Sequence, residues 1–537
     1  MDKLKTIFIY LTPFILLVIA LFISIGPDFY RLRITPAGKT FPLVHNHITD
    51  YYYYLSLMHQ GYEGNWLLTS RMTPEEFKPV FAQTFFALLG HIARVFHLSL
   101  VTVYFISRIV SAVLLMLVVI LVVRKLFEKK RHIILACLLV FFSTSFWTIS
   151  YSSGHFSISQ FLSFWTRMDT ILRTTYLPHH ILSTTLGLLS IWFLGESLDK
   201  RGIKNTILAG ICGSLGGFIY FASMANIIGG VAIAFIIFFI PIVMRQKRFL
   251  TFLPHFFIYF AICSMAFFYL LGLARTTFPW STYTTAGERF TFGFFVREYI
   301  GGLGPTLILT ILGIPAILSD KKWLPKLLFG WVIFPFIGLL FISRIFWQFA
   351  DIYYLEAASY IPLGILSVYG WKTLEVKVFK KIRGSSVILT IVLLLYFVPP
   401  IITSFQTELA RYSPYYYNLY IPNEALDGIK WLDTYTPKES VVLAGGYFGA
   451  IIPAFSHDRV VYGHPANTYR SAEKSETVNL FFAQNDVNKA AQIIKRYNVS
   501  YIFYGPDTDP PNEKFLNGLG ISQAYVNNII KIFKVIQ

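Results

Sequence analysis

Long apolar runs recur through the first three quarters of this chain, and several reach the roughly 20 residues that a bilayer crossing requires. They lie at about Thr6–Ile25, Val101–Val123, Ile133–Ser150, Ile181–Leu198, Thr206–Met244, Thr251–Ala274, Pro305–Leu318, Leu327–Ser343, Leu355–Trp371 and Val387–Ile402. Thr206–Met244 is too long for one crossing, and its glycines with Asn226 mark a hairpin of two helices. The expected fold is a polytopic α-helical membrane protein with about 11 transmembrane helices. Composition agrees: 55% of the 537 residues are hydrophobic and 14% are charged, where a soluble chain carries about a quarter charged residues.

The net charge of +18 does not point to nucleic acid. Residues 403–537 hold 12 Lys+Arg and 12 Asp+Glu, so the excess belongs to the apolar portion. There it sits in short clusters between runs, the pattern that marks cytoplasmic loops. With about 11 crossings, 21 of the 46 basic residues fall in inner loops, the N-terminus is cytoplasmic and the C-terminal segment is extracytoplasmic. Lys3 and Lys5 precede the first run, which lacks a small-x-small cleavage site and reads as an uncleaved span. Cys137, Cys212 and Cys263 lie inside apolar runs with no metal-type spacing, as small packing residues do.

Two domains follow. Residues 1–402 form the transmembrane portion, with 26–100 as a long first extracytoplasmic loop. Within it, Phe81–Leu89 is too short to span and reads as an interfacial helix. Residues 403–537 alternate amphipathic helices (Asn423–Thr434, Asp486–Tyr497) with short apolar strands near 440–444, 459–462, 499–504 and 529–533, the pattern of an extracytoplasmic α/β domain.

The polar residues with chemistry concentrate in the expected outer loops. Asp50 stands at a helix start in His45-Asn46-His47-Ile48-Thr49-Asp50-Tyr51-Tyr52-Tyr53-Tyr54. A carboxylate there either takes a proton from an acceptor hydroxyl or caps the helix. Glu63 and Asp169 are further acids with catalytic potential. Tyr54, on one face with Met58, and Trp66, in a Gly-Asn-Trp turn, are candidate sugar contacts; a Trp at a turn equally suits the headgroup belt. Arg71 and Lys78 follow and suit phosphate. Arg167, Arg173, His179, His180 and Arg344 are candidates for a lipid-linked phosphate, since arginine binds phosphate in bidentate fashion. Arg275, Arg289 and Arg297 add outer cations, and Glu356 opens a span. The sequence marks no certain cofactor. A divalent metal is the one left open, with His45/His47, His179/His180 and the acids as ligands, but no H-E-x-x-H or cysteine set supports it. Walker A, dinucleotide-binding and nucleophile-elbow motifs are absent.

A first span, a long outer loop with an early acid (His47-Ile48-Thr49-Asp50-Tyr51), about ten further spans and an outer α/β tail make a pattern. It resembles the GT-C superfamily of integral membrane glycosyltransferases, nearest to dolichyl-phosphate-mannose mannosyltransferases and ArnT-like bacterial members. Gly428-Ile429-Lys430-Trp431-Leu432-Asp433, Ser440-Val441-Val442-Leu443 and Tyr501-Ile502-Phe503-Tyr504-Gly505 resemble the tails of such proteins. The resemblance implies an inverting transferase of the cell membrane. Its donor would be a polyprenyl-phosphate-linked sugar, its acceptor a glycan, lipid or protein, and Asp50 its general base. Membrane lipids are its other partners. The family's paired loop acids are not matched here, where tyrosines follow Asp50 and the nearest other acid is Glu63. A transporter or flippase of lipid-linked glycans would show repeated halves, and none is visible. A non-catalytic scaffold with an outer recognition domain is the third reading.

Overall fold

The computed structural model describes residues 2–44, 46–152, 155–239, 252–283, 289–345, 350–377, 385–410, 419–483, 486–509 and 513–536. His45 and the basic clusters Arg245/Lys247/Arg248 and Lys380/Lys381/Arg383 lie outside the described residues. The chain forms two compact units. The first comprises Met1–Pro27, Arg108–Leu271 and Thr284–Glu408; the second comprises Asp28–Ser107, Gly272–Tyr283 and Leu409–Gln537. Much of the long first loop therefore folds with the tail, a grouping that cuts across the expected division after residue 402.

Among the described residues, seven helices are long and apolar enough to cross a membrane: Leu11–Arg33, Leu100–Leu126, Pro178–Lys200, Phe221–Phe239, Leu253–Thr276, Leu324–Ile345 and Val387–Ala410. The pair Phe292–Gly302 and Gly304–Ser319, bent by 88°, makes an eighth if taken as one crossing. The chain is a multi-pass membrane protein, and the seven or eight crossings among the described residues do not confirm the count of about 11. Ile203–Ile219 is an apolar helix of only 17 residues, and Tyr360–Lys377 carries Lys372, Glu375 and Lys377. The expected crossing at 133–150 is corrected. Its helix, Lys130–Phe142, stops at Ser143, where Ser-Thr-Ser side chains compete with the helical backbone. Trp147–Ser152 then pairs antiparallel with His155–Gln160. The alternation of Trp147, Ile149 and Tyr151 with Thr148 and Ser150 has the period of a strand.

In the first unit, the long run from 206 divides into two helices, Ile203–Ile219 and Phe221–Ala234, which meet at Tyr220 in extended conformation. Helices Gly304–Ser319 and Tyr360–Lys377 touch at Gly313 and Gly370, where a Cβ on Gly370 would stand 1.8 Å from the Leu309 carbonyl oxygen. Small residues permit such close backbone approach between membrane helices.

The second unit is built on a five-stranded sheet. In spatial order its strands are Arg459–Val460, Val441–Ala444, Tyr501–Tyr504, Lys531–Val535 and Ile521–Val526. The first three run parallel, and the last two are antiparallel additions. Leu443, Val461, Phe481, Ala490, Ile502 and Phe533 fill one side of it. The α/β tail is thus as expected, with Gly446–Phe455, Ser471–Ala483 and strand Ile521–Val526 in addition to the predicted elements. Helix Ile48–Tyr62 packs against both Gly446–Phe455 and Thr84–Phe96. The latter overlaps the stretch Phe81–Leu89 where a short helix was expected, with Phe85, Phe86 and Leu89 buried and Val95 and Phe96 exposed. Gly61 and Gly90 set its crossing: a Cβ on Gly90 would meet the Met58 carbonyl oxygen at 2.0 Å. This packing fixes the helix that carries Asp50.

Candidate functional site

Asp50 lies in the first turn of Ile48–Tyr62, but it is not the cap. The N-cap residue is His47, in left-handed conformation and without a side-chain cap bond. The Asp50 carboxylate instead faces two imidazoles: His464 Nε2 lies 2.9 Å from Oδ1 and His47 Nδ1 lies 3.3 Å from Oδ2. Its side chain stays 36% exposed, so the carboxylate is held without being sealed. Burial works against the charge, but the bonds from His464 and His47 outweigh it and keep this carboxyl well below the usual carboxylate range. The helix N-terminus favours the same charge. Tyr51, Tyr52 and Tyr53 are all buried behind it; the Tyr51 hydroxyl donates to the Pro42 carbonyl at 2.7 Å and that of Tyr53 to Gln83 at 2.9 Å.

The other candidates of the first loop are structural. Glu63 pairs with Arg71 at 2.7 Å, Arg71 with Glu439 at 2.7 Å, and Glu439 with Arg459 at 2.6 Å. Glu63 is therefore not a free acid, and the buried Arg71 is not a phosphate ligand. Tyr54 is corrected from sugar contact to core, since it is buried and stacked on Phe86 with centroids 4.3 Å apart. Trp66 is 47% exposed and rests on the His91 ring, which leaves indole surface open.

In the first unit, Asp169 is a helix cap. Its Oδ1 accepts from the N–H groups of Ile171 (2.8 Å) and Leu172 (3.3 Å). Arg173 is a buried clamp, donating to the carbonyls of Val140 and Ser143 (2.6 Å each) and Arg167 (3.1 Å) and lying over the Tyr360 ring. Its geometry serves main-chain acceptors instead of a ligand phosphate. Arg167 lies 2.6 Å from His180 Nδ1 and over Tyr176. His180 stacks on Tyr220 at 3.6 Å, and His179 meets both rings edge-on. Glu356 completes this buried network, accepting from Tyr220 (2.7 Å) and Tyr176 (3.2 Å).

Arg344 stands elsewhere in the same unit, beside a cavity of about 230 Å³ walled by Phe290, Phe292, Phe294, Phe295, Tyr299, Leu339, Leu340 and Leu355. Asp351, fully buried, pairs with Arg344 at 3.1 Å and Arg289 at 3.7 Å. Arg344 and Asp351 both line this aromatic cavity, and the Arg344 guanidinium stays partly exposed.

A second titratable cluster in the second unit was not expected. Asp458 is fully buried, with Oδ1 accepting from the Thr436 hydroxyl at 2.8 Å and Oδ2 without a hydrogen-bond partner. Burial pushes its carboxyl up to about 6. A raised carboxyl destabilises the folded unit increasingly as pH rises above its unfolded value of 3.8, and the penalty is full above the folded value of about 6. Asp458→Asn should therefore stabilise the folded unit at pH 8 by roughly 3 kcal/mol at most, raising its unfolding midpoint there, and leave that midpoint nearly unchanged at pH 4. Thermal scans at the two pH values check this.

Among the described residues, no group of three or more His, Cys, Asp or Glu side chains could hold a metal ion. His464, the partner of Asp50, was not singled out in the sequence; its one signal is the turn Gly463-His464-Pro465 directly after a buried strand.

The fold is similar to those of solved proteins that share little sequence with this chain. ArnT from Cupriavidus metallidurans, bound to undecaprenyl phosphate, superposes with TM-score 0.52 over 97% of this chain and 97% of its own, at 11% identity. The oligosaccharyltransferase of Archaeoglobus fulgidus, tethered with an acceptor peptide containing the NVT sequon, gives TM-score 0.53 over 93% of this chain and 69% of its own, at 15% identity. The Archaeoglobus enzyme AglB has also been seen with an inhibitory peptide and a dolichol-phosphate, with TM-score 0.50 and 14% identity over 93% of this chain and 70% of its own. At such identities the likeness is one of fold. No family model matches the chain, and no curated protein matches it in sequence.

Proposed function

We propose that this protein is an inverting glycosyltransferase that moves a sugar from a polyprenyl-phosphate carrier to an acceptor hydroxyl on the extracytoplasmic face. The observation that carries the reading is Asp50: a half-exposed carboxylate, ionised by its surroundings and held by two histidines at a helix start. The fold supports it, since neighbours of the same fold have been seen with dolichol-phosphate and undecaprenyl phosphate.

In the reaction, Asp50 accepts the proton of the acceptor hydroxyl as its oxygen bonds to the anomeric carbon. The bond from that carbon to the phosphate oxygen breaks, and its electron pair leaves with the polyprenyl phosphate. The leaving phosphate needs no proton, and a single displacement inverts the centre. Arg344 and its aromatic cavity suit a phosphate on an isoprenyl tail: a guanidinium meets the anion and ring faces meet the chain. The buried Arg167–His180–Glu356 network, in which Arg167 Nε has no partner among the described residues, is given no step in this reaction.

The test uses membranes containing the full chain, supplied in parallel with undecaprenyl-phosphate-linked radiolabelled mannose, glucose and arabinose. Label is expected to pass from the carrier lipid into glycan, lipid or protein fractions above that in membranes lacking the protein. Label that crosses sealed vesicles while remaining on its carrier would instead make the protein a flippase.

A further inference from the structure

The strongest unassigned feature is how the Asp50 carboxylate is held, and by which part of the chain. His464 comes from the tail, 414 residues along the chain from Asp50. Its ring is nearly buried and packs near Tyr53, with centroids 5.7 Å apart. The main-chain N–H groups of Ala466 and Asn467 both point at Nδ1, at 3.0 and 3.2 Å, and the Asn467 side chain adds a third contact at 2.9 Å. Main-chain N–H groups are donors in any assignment of hydrogens. Nδ1 must therefore be an acceptor, and the network assigns the ring proton to Nε2. Nε2–H points at Asp50 Oδ1.

The turn that fixes this ring is itself fixed. The Thr468 hydroxyl accepts from the N–H groups of Gly463 and His464 and donates to the Met72 carbonyl at 2.7 Å. The Ser70 hydroxyl donates to the Asn467 carbonyl at 2.7 Å. The imidazole thus has one tautomer and one orientation, set by backbone groups on both sides.

We infer that His464 is the positioning residue for Asp50, its Nε2–H holding Oδ1 so that the remaining lone pairs of the carboxylate, chiefly those of Oδ2, are presented to the acceptor hydroxyl. The inference rests on Asp50 being the reaction base. A carboxylate offers about four lone-pair directions; His464 takes one, and His47 lies more loosely near the other oxygen at 3.3 Å. Among the described residues, these two imidazoles are the titratable groups that bear on Asp50. The alternative is that His464 only pins its own turn.

Two substitutions separate these roles. His464→Asn places an amide oxygen where Nδ1 was, so it can still accept from Ala466 and Asn467, but it cannot reach Asp50. His464→Gln places an amide N–H near the Nε2 position and can reach Asp50. With the radiolabelled transfer assay, His464→Asn is expected to lower kcat by about 10- to 100-fold, the range for a displaced reacting group, and His464→Gln is expected to recover most of it. His464→Asn should also move the acid limb of the pH–rate profile to higher pH, because burial then acts on Asp50 with one bond fewer against it. Equal kcat and an unmoved acid limb in His464→Asn, in a preparation where Asp50→Asn is inactive, would overturn the inference alone. Full activity in Asp50→Asn would overturn the reading beneath it. If neither His464 variant is recovered folded, Asn467→Ala, which removes the side-chain contact to Nδ1 and keeps the two main-chain donors, serves instead, with a smaller shift of the acid limb in the same direction expected and an unmoved limb counting against the inference.

Discussion

Asp50→Asn should reduce sugar transfer by about 10²- to 10⁴-fold, the usual worth of a general base, without loss of the folded protein. The amide is nearly the same size as the carboxylate. Its oxygen can still accept from His464 Nε2–H, now 2.9 Å from Oδ1, so the helix and the turn keep their contact. What the amide cannot do is take a proton. The surroundings of Asp50 add a second expectation. Because this carboxyl is held well below the usual carboxylate range, it is ionised at any pH near neutrality, and the wild-type rate should not fall until the medium is distinctly acid. Such an acid is a weak base at rest. Its strength as a catalyst then lies in geometry, with proton transfer completed as the acceptor oxygen bonds to carbon. Asp50→Glu tests that point, since one extra methylene leaves the chemistry and spoils the position. A loss near 10²-fold is expected from such displacement. Rates measured across pH for all three forms check the argument, and an Asn variant within a few-fold of wild type would refute it.

The spans and the tail were legible because each depends on local pattern. The expected 101–123 and 181–198 became Leu100–Leu126 and Pro178–Lys200, and the tail strands fell where short apolar runs alternate with amphipathic helices. The stretch from 133 misled because hydropathy alone ignores period: Trp147, Ile149 and Tyr151 are apolar at every second residue, and they form a strand. The placing of Asp50 in a first helical turn was also local. Its partner was not. Nothing near Asp50 in sequence announces His464, and nothing near Glu63 announces that Arg71 will be shared with Glu439. Residue type was a poor guide to exposure as well. Tyr54 and Trp66 were equal candidates for a sugar face, yet one is stacked in the core and the other open. Asp169 and Arg173 show the same limit for charge. Each is engaged by backbone, through a cap in one case and a carbonyl clamp in the other, and only the cap had a sequence signal, an acid just before a helix.

Arg71→Met should cost the second unit about 3 kcal/mol, the lower end for removing one partner of a buried ion pair, and should reduce transfer along with it. Arg71 is 3% exposed and lies between Glu63 and Glu439, to which it donates at 2.7 Å each. Burial opposes its charge, but the two carboxylates outweigh this and raise its affinity for the proton further. Without the guanidinium, Glu63 keeps only a distant imidazole of His59 at 3.8 Å, while Glu439 keeps Arg459. The second contact is why the lower end of the range applies. In the intact unit, burial acts to raise the Glu439 carboxyl, but the fields of Arg71 and Arg459 lower it overall. A lowered carboxyl contributes stability that is present above its unfolded value and lost as pH falls through the folded one. The variant forfeits the part of that contribution due to Arg71, so its deficit should be full at pH 7 and shrink below about pH 4.5 as Glu439 takes up a proton. Adding Glu63→Gln should recover part of the loss at neutral pH. The link to activity runs through the backbone. The Arg71 carbonyl accepts from Val460 N–H, its neighbours Ser70 and Met72 hold Asn467 and Thr468, and those residues fix the turn that aims His464 at Asp50. Unfolding midpoints in detergent, expected to fall by about 6–12 °C for a unit of this size, and transfer rates at the same temperature measure both effects. A variant that melts like wild type would show that this chain of charges does not hold the site.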